Sequence, residues 1–455
     1  MSRCVLTLGL KTEPWQEDVI NKRLEMIRNV YNVMLGYENK KYRKLQKQPE
    51  YIEAMNTLYE FAKSGQKGCK EYKEAGKKRS QLLKEAGFSQ YSFGSDAISF
   101  SKHFAENIGT KSAQISIGDT MWRAFDTMLY GKGDIVHFKR KDSVNSVASD
   151  NKSGIRIVDI NNKTVSKRES QNQLFVLYGL SGHKVLKMPI KFDLTNQYEL
   201  EMLSMPIKQV RILRRKEKMK WKYYIQLCLD GKPAVKYDKD TGEIKHPIGT
   251  GRVGLFVNTN SITVSTEKGI KHYSLSEGLI DYSEEIAELQ RYMDNSRRQT
   301  NPDNFNSDGT IKKGIMIDGE RRPLTWHYSN RYYKAKNRVA ELKRLDRVKR
   351  ELHHQKLANE IVSMGNDIRV NVYPFAKVAK RSTEDKLKKD GTPASKARAG
   401  KSIGENAPAL LISMIEQKLN NYDNGILVKF DLTKEADFYD TIKNTEKWAE
   451  FVRSA

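Results

Sequence analysis

Residues 252–266, RVGLFVNTNSITVST, set the strongest constraint on the fold. Two runs of apolar and β-branched residues, at 253–257 and 262–265, flank the polar stretch Asn258-Thr259-Asn260, and a third run follows at 270–274. Such runs bounded by turn residues read as strands. Consecutive strands form a sheet, and a sheet must bury a face against another layer. That layer is legible downstream: YSEEIAELQRYMDNSRRQT reads as a helix leading into a polar loop, and a long helix is expected over about 329–364. Its apolar stripe would be Val339, Leu342, Leu345, Val348 and Leu352.

Upstream the periodicity differs. Residues 3–11 alternate like a strand, and from Trp15 the spacing turns helical, with Ile20, Leu24, Ile27, Tyr31 and Leu35 recurring every three or four positions. The helical block ends at Gly131 and Gly133, after which DIVHFKRK, SGIRIVDI, QLFVLYGL, HKVLKMPIKF and IKQVRILRRKEKMKWKYYIQLCLDG read as the short strands of a small β-barrel. The last of these is expected to be a strand pair joined by the basic turn RRKEKMKW.

Charge narrows the partner class. The 455 residues carry 81 Lys and Arg against 56 Asp and Glu, a formal charge of +25 and a pI near 9.6. This is the footprint of a polyanion binder, and nucleic acid leads. A membrane is the weaker reading, because no apolar run is long enough to span one. The N-terminus lacks the three-part pattern of a signal peptide, so the expected location is the cytoplasm. Cys4, Cys69 and Cys228 are far apart and make no CxxC pair, which supports neither a disulfide framework nor a zinc knuckle. His353 and His354 are adjacent on a helical pattern without accompanying ligands and are expected to be solvated or RNA-facing.

Several segments resemble one family in order along the chain. RVGLFVNTNSITVST is similar to the opening strands of a RuvC-type nuclease domain; GKGDIVHFKRK and RILRRKEKMKWKYYIQLCLDG are similar to the entry and hairpin of a wedge domain. MDNSRRQTNPDNFNSDGTIKKG, HHQKLANEIVSMGNDIRV and GKSIGENAPALLISMIEQKL are similar to RuvC elements that follow. The chain thus resembles the TnpB nucleases and the miniature type V-F CRISPR effectors. The resemblance implies an α+β multidomain fold: a helical recognition domain inserted in a wedge β-barrel, then an RNase H-like (RuvC) α/β domain. The expected divisions are 1–14 first wedge strand, 15–133 recognition domain, 134–250 wedge, 251–440 RuvC-like domain and 441–455 tail or helix.

The resemblance also implies where the chain departs from active members. Their first metal-binding aspartate falls on Phe256 and their second-strand glutamate on Asn371. Divalent-ion catalysis relies on carboxylate oxygens, and neither residue supplies a charged one. In place of the zinc-binding cysteines and third aspartate, YDNGILVKFDL runs into TKEADFYDTIKNTEKWAEFVRSA, leaving Asp431, Glu435 and Asp437 as the late acids. The RuvC-like domain is therefore expected to lack the zinc finger and third catalytic motif, and the protein to be no enzyme and to need no metal or other cofactor.

The expected nucleic-acid contacts fall in five groups. Lys102, Lys111 and Arg123 lie in the helical block where the resemblance places the reader of a short flanking motif, and Lys139, Arg140 and Lys141 lie at the wedge entry. Arg214, Arg215, Lys216, Lys218, Lys220, Trp221 and Lys222 interleave charge with an aromatic ring on the hairpin. Arg338, Lys343, Arg344, Arg347 and Arg350 belong to the long helix; Lys380, Arg381, Lys388, Lys389, Lys396, Arg398 and Lys401 belong to the run after IRVNVYPF. Together these imply a guide RNA and target double-stranded DNA as partners, with regulation of transcription as the output. That output is promoter blockage, or recruitment of a sigma factor and RNA polymerase; a homodimer is a further expectation by resemblance. Two alternatives stand beside it: a guided nuclease with displaced carboxylates, and a non-guided RNA-binding protein.

Overall fold

The structure is a computed structural model that describes residues 3–131, 133–158, 174–179, 185–193, 195–317, 319–380 and 399–455. It divides into two compact units, Met1–Ala234 and Val235–Ala455.

The first unit opens with β1 (Arg3–Leu10), whose alternate residues Leu6, Leu8 and Leu10 are buried. A long helix, Pro14–Leu45, follows because its start is well signalled: Pro14 sits in the first turn, and the Gln16 side chain accepts from the backbone N–H of Glu13 at 3.0 Å in a capping box. Ile20, Leu24, Ile27, Tyr31 and Leu35 form its buried face, as their spacing requires. Helices Pro49–Lys63, Lys70–Glu85, Gln90–Phe100 and Asp119–Tyr130 complete the block before the chain enters β2 (Ser146–Ser149), β3 (Ile155–Val158), β4 (Phe175–Tyr178), β5 (Leu186–Lys191), β6 (Ile207–Glu217) and β7 (Lys220–Asp230). These strands make one sheet in the order β2-β6-β7-β1-β5-β4-β3. Among the described residues no pairing joins β2 to β3, so the sheet expected as a β-barrel is open at that edge.

Two local expectations are corrected. DIVHFKRK is not a strand: Asn32 of the long helix takes the place of a neighbouring strand, its Oδ1 accepting from Lys139 N–H at 2.8 Å and its Nδ2 donating to the Lys139 carbonyl at 2.9 Å. Nor is RRKEKMKW a turn. The ladder continues to Glu217 opposite Lys220, leaving only Lys218 and Met219 at the tip, with φ of 47° and 71°. Positive φ at both central residues is the hairpin geometry whose twist matches that of the strands.

The second unit is built on β8 (Arg252–Val257), β9 (Ser261–Thr266) and β10 (Gly269–Ser274), an antiparallel meander at the predicted positions. A helix, Ser283–Thr300, and a small hairpin of β11 (Ile315–Ile317) and β12 (Glu320–Arg322) precede the long helix Asn330–Met364, capped by the Ser329 hydroxyl accepting from Tyr332 N–H at 3.1 Å. Then come β13 (Asp367–Asn371), the helix Pro408–Leu419, β14 (Ile426–Phe430) and the helix Thr445–Ser454. The sheet order is β10-β9-β8-β13-β14, with β13 parallel to both β8 and β14.

Alternation along β8 sorts its two faces. Val253, Leu255 and Val257 pack with Leu357, Ile361, Leu411 and Ile415 of the two long-helix and Pro408–Leu419 layers. Phe256 points the other way and packs with Leu432, Phe438, Trp448 and Val452. The stripe expected along the long helix is buried only at Val339 and Leu342; Val348 and Leu352 are exposed, because the turns that meet the sheet come later, at Leu357–Val362.

Candidate nucleic-acid interface and the carboxylate positions

Phe256 and Asn371, the two positions at which the sequence resemblance sets metal-binding carboxylates, lie near the ends of the neighbouring parallel strands β8 and β13. Both are buried. The Asn371 side chain accepts from Val257 N–H at 2.7 Å and donates to the Val257 carbonyl at 3.2 Å, so both amide atoms are spent on one backbone residue. The Phe256 ring meets Phe438 edge-on, centroids 6.5 Å apart, and Phe438 meets Trp448 at 5.3 Å. Trp448 itself donates from its indole to the Thr441 carbonyl at 3.2 Å.

The helix Thr445–Ser454 lies directly on this face. A methyl group at Gly254 would collide with the Ala449 carbonyl, so the absence of a side chain there permits the contact. Arg453 Nε donates to Ser265 Oγ at 3.1 Å, and His272 Nε2 is 2.8 Å from a Glu446 carboxylate oxygen. Two of the three late acids are otherwise engaged: Asp431 accepts from Thr433, and Asp437 pairs with Lys447, whose hydrogen bond holds the Asp437 carboxyl below its usual range. Among the described residues no three His, Cys, Asp or Glu side chains gather as a metal site. The side chains at these two positions do not fit a divalent cation: one is a hydrocarbon ring, and the other a buried, uncharged amide whose oxygen already accepts from Val257 N–H.

The hairpin of β6 and β7 carries the densest predicted charge, and the sheet's pleat divides it. Arg214, Lys216, Trp221 and Tyr223 share one face, since cross-strand partners point the same way. Arg214 is a correction to the expected contacts. It is buried, donates to Asn21 Oδ1 at 2.7 Å, to Asn145 Oδ1 at 3.3 Å and to the Val144 carbonyl at 3.3 Å, and stacks 4.2 Å from the Trp221 ring. Trp221 is thereby half-buried beneath it. The opposite face presents Arg215 directly across from Lys222, both exposed, with Lys220 beyond and Glu217 3.3 Å from the Lys222 ammonium. Like charges held opposite each other in a ladder are destabilising unless an anion bridges them. Lys216 and Lys218 are exposed toward the tip.

Beside this sheet lies a 700 Å³ cleft lined by Gln90, Trp122, Arg123, Lys139, Asn145 and Arg211, among others. Arg123 is exposed and Lys139 half-buried over the Tyr31 ring at 4.2 Å; burial, and next the Arg123 charge, push the Lys139 ammonium down. Of these, Arg123 and Lys139 are among the contacts expected from sequence, and Gln90, Asn145 and Arg211 are not. Alternation of Arg211 with the buried Val210 and Ile212 is the signal that could have found the last of these. Lys102, Arg140 and Lys141 are exposed, while Lys111 donates to Gln114 at 2.9 Å.

Along the long helix the predicted cations separate. Arg338 pairs with Glu285 at 2.7 Å, Arg344 forks onto Glu341, and Arg350 is held by Asp346 and the Gly404 carbonyl. Lys343 and Arg347 are exposed, the latter 3.8 Å from Glu351. His354 corrects the solvated reading: it is buried and 2.8 Å from the Asn406 carbonyl, and burial pushes its pKa down. Lys380 and Lys401 are exposed, Lys401 beside Glu405; Arg381, Lys388, Lys389, Lys396 and Arg398 lie outside the described residues.

No protein-family model and no curated protein matches the chain. Solved structures align with it. The Cas12f1 chain of a cryo-EM Cas12f1–sgRNA–target DNA complex is 10% identical over 98% of this chain and 94% of that one, with a TM-score of 0.40. A CRISPR–Cas12f ternary complex aligns at 11% identity over 98% and 94%, TM-score 0.25. A Cas12i–crRNA–dsDNA complex aligns at 10% identity over 92% and 56%, TM-score 0.28.

Proposed function

We propose that this protein binds a guide RNA and, through base pairing by that RNA, double-stranded DNA, without cutting it, and that its output is control of transcription by occupancy. The observation that carries the reading is the conversion of two carboxylate positions into core: Asn371 is spent on Val257, and Phe256 is covered by Phe438 and Trp448. A decayed site would leave cavities and unpaired groups. This one is packed and hydrogen-bonded, which supports a retained fold with a different use.

The exposed face of Arg215, Lys220 and Lys222 supplies backbone contacts, and the polar cleft beside Arg123 and Arg211 has the amides and guanidinium groups suited to base edges in a short flanking motif. In a guided system pairing reads the sequence while the protein holds the backbone. A protein that binds without cutting stays on its site. Blocking RNA polymerase there gives repression; recruiting a sigma factor with RNA polymerase gives activation.

The test is to purify the expressed protein, sequence its copurifying RNA and map its chromosomal occupancy in the same cells. A discrete RNA whose end matches the occupied sites is the expected result, and site position relative to promoters then separates blockage from recruitment. RNA without matching DNA sites overturns guidance, and magnesium-dependent nicking of a matched target overturns the cleavage-incompetent part.

A further inference from the structure

We infer that the segment joining Ser283–Thr300 to Asn330–Met364 is a binding platform for single-stranded nucleic acid, with Tyr333 stacking on an unpaired base and the β11–β12 hairpin holding the flanking phosphates. Helix Ser283–Thr300 has no fully buried side chain, and the first six turns of its partner bury only Ala335, Val339 and Leu342. Between them, among the described residues of 301–328, only Asn301 and Asn304 are buried.

These two amides do the work of a core. Asn301 donates to the His327 carbonyl at 2.7 Å and accepts from His327 N–H at 2.6 Å, and Asn304 donates to the Thr325 carbonyl at 2.7 Å. The aromatic rings are therefore left at the surface. Tyr328 and Tyr332 stack at 4.4 Å and 26°, and Tyr333 stands across both at 5.9 Å with 47% of its surface exposed. Phe305 and Trp326 form a second pair at 5.7 Å, with the Arg297 guanidinium 5.5 Å from the Trp326 ring.

Charge selects the occupant. Residues 291–336 hold ten Lys and Arg against five Asp and Glu. Arg321 and Arg322 are exposed on β12, opposite Met316 and Ile315. Half-exposed rings interleaved with cations match a strand whose bases are unpaired, because only such a strand offers ring faces and phosphates together. A duplex offers the phosphates alone.

The test uses the full chain, freed of copurifying nucleic acid by high salt. Binding is measured by anisotropy with labelled oligothymidine, oligouridine and a blunt duplex of equal length. Tyr333→Ala is expected to weaken single-strand binding about tenfold with little effect on the duplex. Arg321→Glu with Arg322→Glu is expected to weaken binding and flatten its salt dependence. Tighter uridine binding points to RNA and tighter thymidine binding to a displaced DNA strand. A 4-thiouridine oligonucleotide is expected to crosslink within 326–333. Unchanged single-strand affinity in Tyr333→Ala, equal loss on the duplex, or crosslinks confined to other segments overturns the platform. Guide-directed occupancy is a separate measurement, so either reading can fail alone.

Discussion

Asn371 closes a two-bond ring on Val257, accepting from its N–H at 2.7 Å and donating to its carbonyl at 3.2 Å. The side chain ties the two parallel strands together beyond Val370 and Leu255, the last residues that β13 and β8 pair with each other. Donor and acceptor are both used there, and the amide of Asn371 supplies both while a carboxylate supplies only acceptors.

Replacing Asn371 by Asp is therefore expected to cost about 3 kcal/mol, since a buried carboxylate would face the Val257 carbonyl unpaired. Urea unfolding checks this, and the loss should shrink at low pH where the carboxyl is neutral. The double variant Phe256→Asp with Asn371→Glu is expected to show no magnesium-dependent cleavage, because both new acids enter packed core; cleavage of a matched target would refute the argument.

Gly254 and Ala449 set the position of the last helix. Gly254→Ala is expected to destabilise the second unit by about 1–3 kcal/mol through overpacking. Hydrogen exchange should rise first in Thr445–Ser454, where the clash falls. Phe256→Ala is expected to cost about 3–5 kcal/mol through the cavity left against Phe438.

Neighbours in sequence, Arg214 and Arg215 should give opposite phenotypes. Arg214→Ala removes the partner of Asn21 and Asn145 and is expected to lower stability by about 2–3 kcal/mol. Arg215→Ala should leave stability within about 0.5 kcal/mol and reduce the salt dependence of RNA binding by about one charge. Paired unfolding and salt-titration measurements separate them.

Burial raises the Glu38 carboxyl from 4.5 to about 7, despite the Lys41 ammonium 2.7 Å away. The folded state then binds more protons than the unfolded state between those values, so stability falls as pH rises through that window, by roughly 3 kcal/mol at most. Glu38→Gln should flatten the slope. A wild type whose stability rises from pH 5 to 7 in parallel with the variant would contradict the assignment.

What the sequence determined by itself is local. The strands around 252–274, the buried face of Pro14–Leu45 and the Ser329 cap of the long helix follow from periodicity and capping, which depend on neighbours within a few residues. So does the absence of a charged oxygen on the Phe256 and Asn371 side chains, a matter of side-chain chemistry. Tertiary structure decided what those side chains do instead. Asn371 bonds to a residue 114 positions away, Arg214 turns inward to Asn21 across 193, and Asn32 substitutes for a strand beside Lys139 across 107. A polar side chain's partner is whichever group the completed fold leaves unsatisfied beside it, and no local pattern encodes that group.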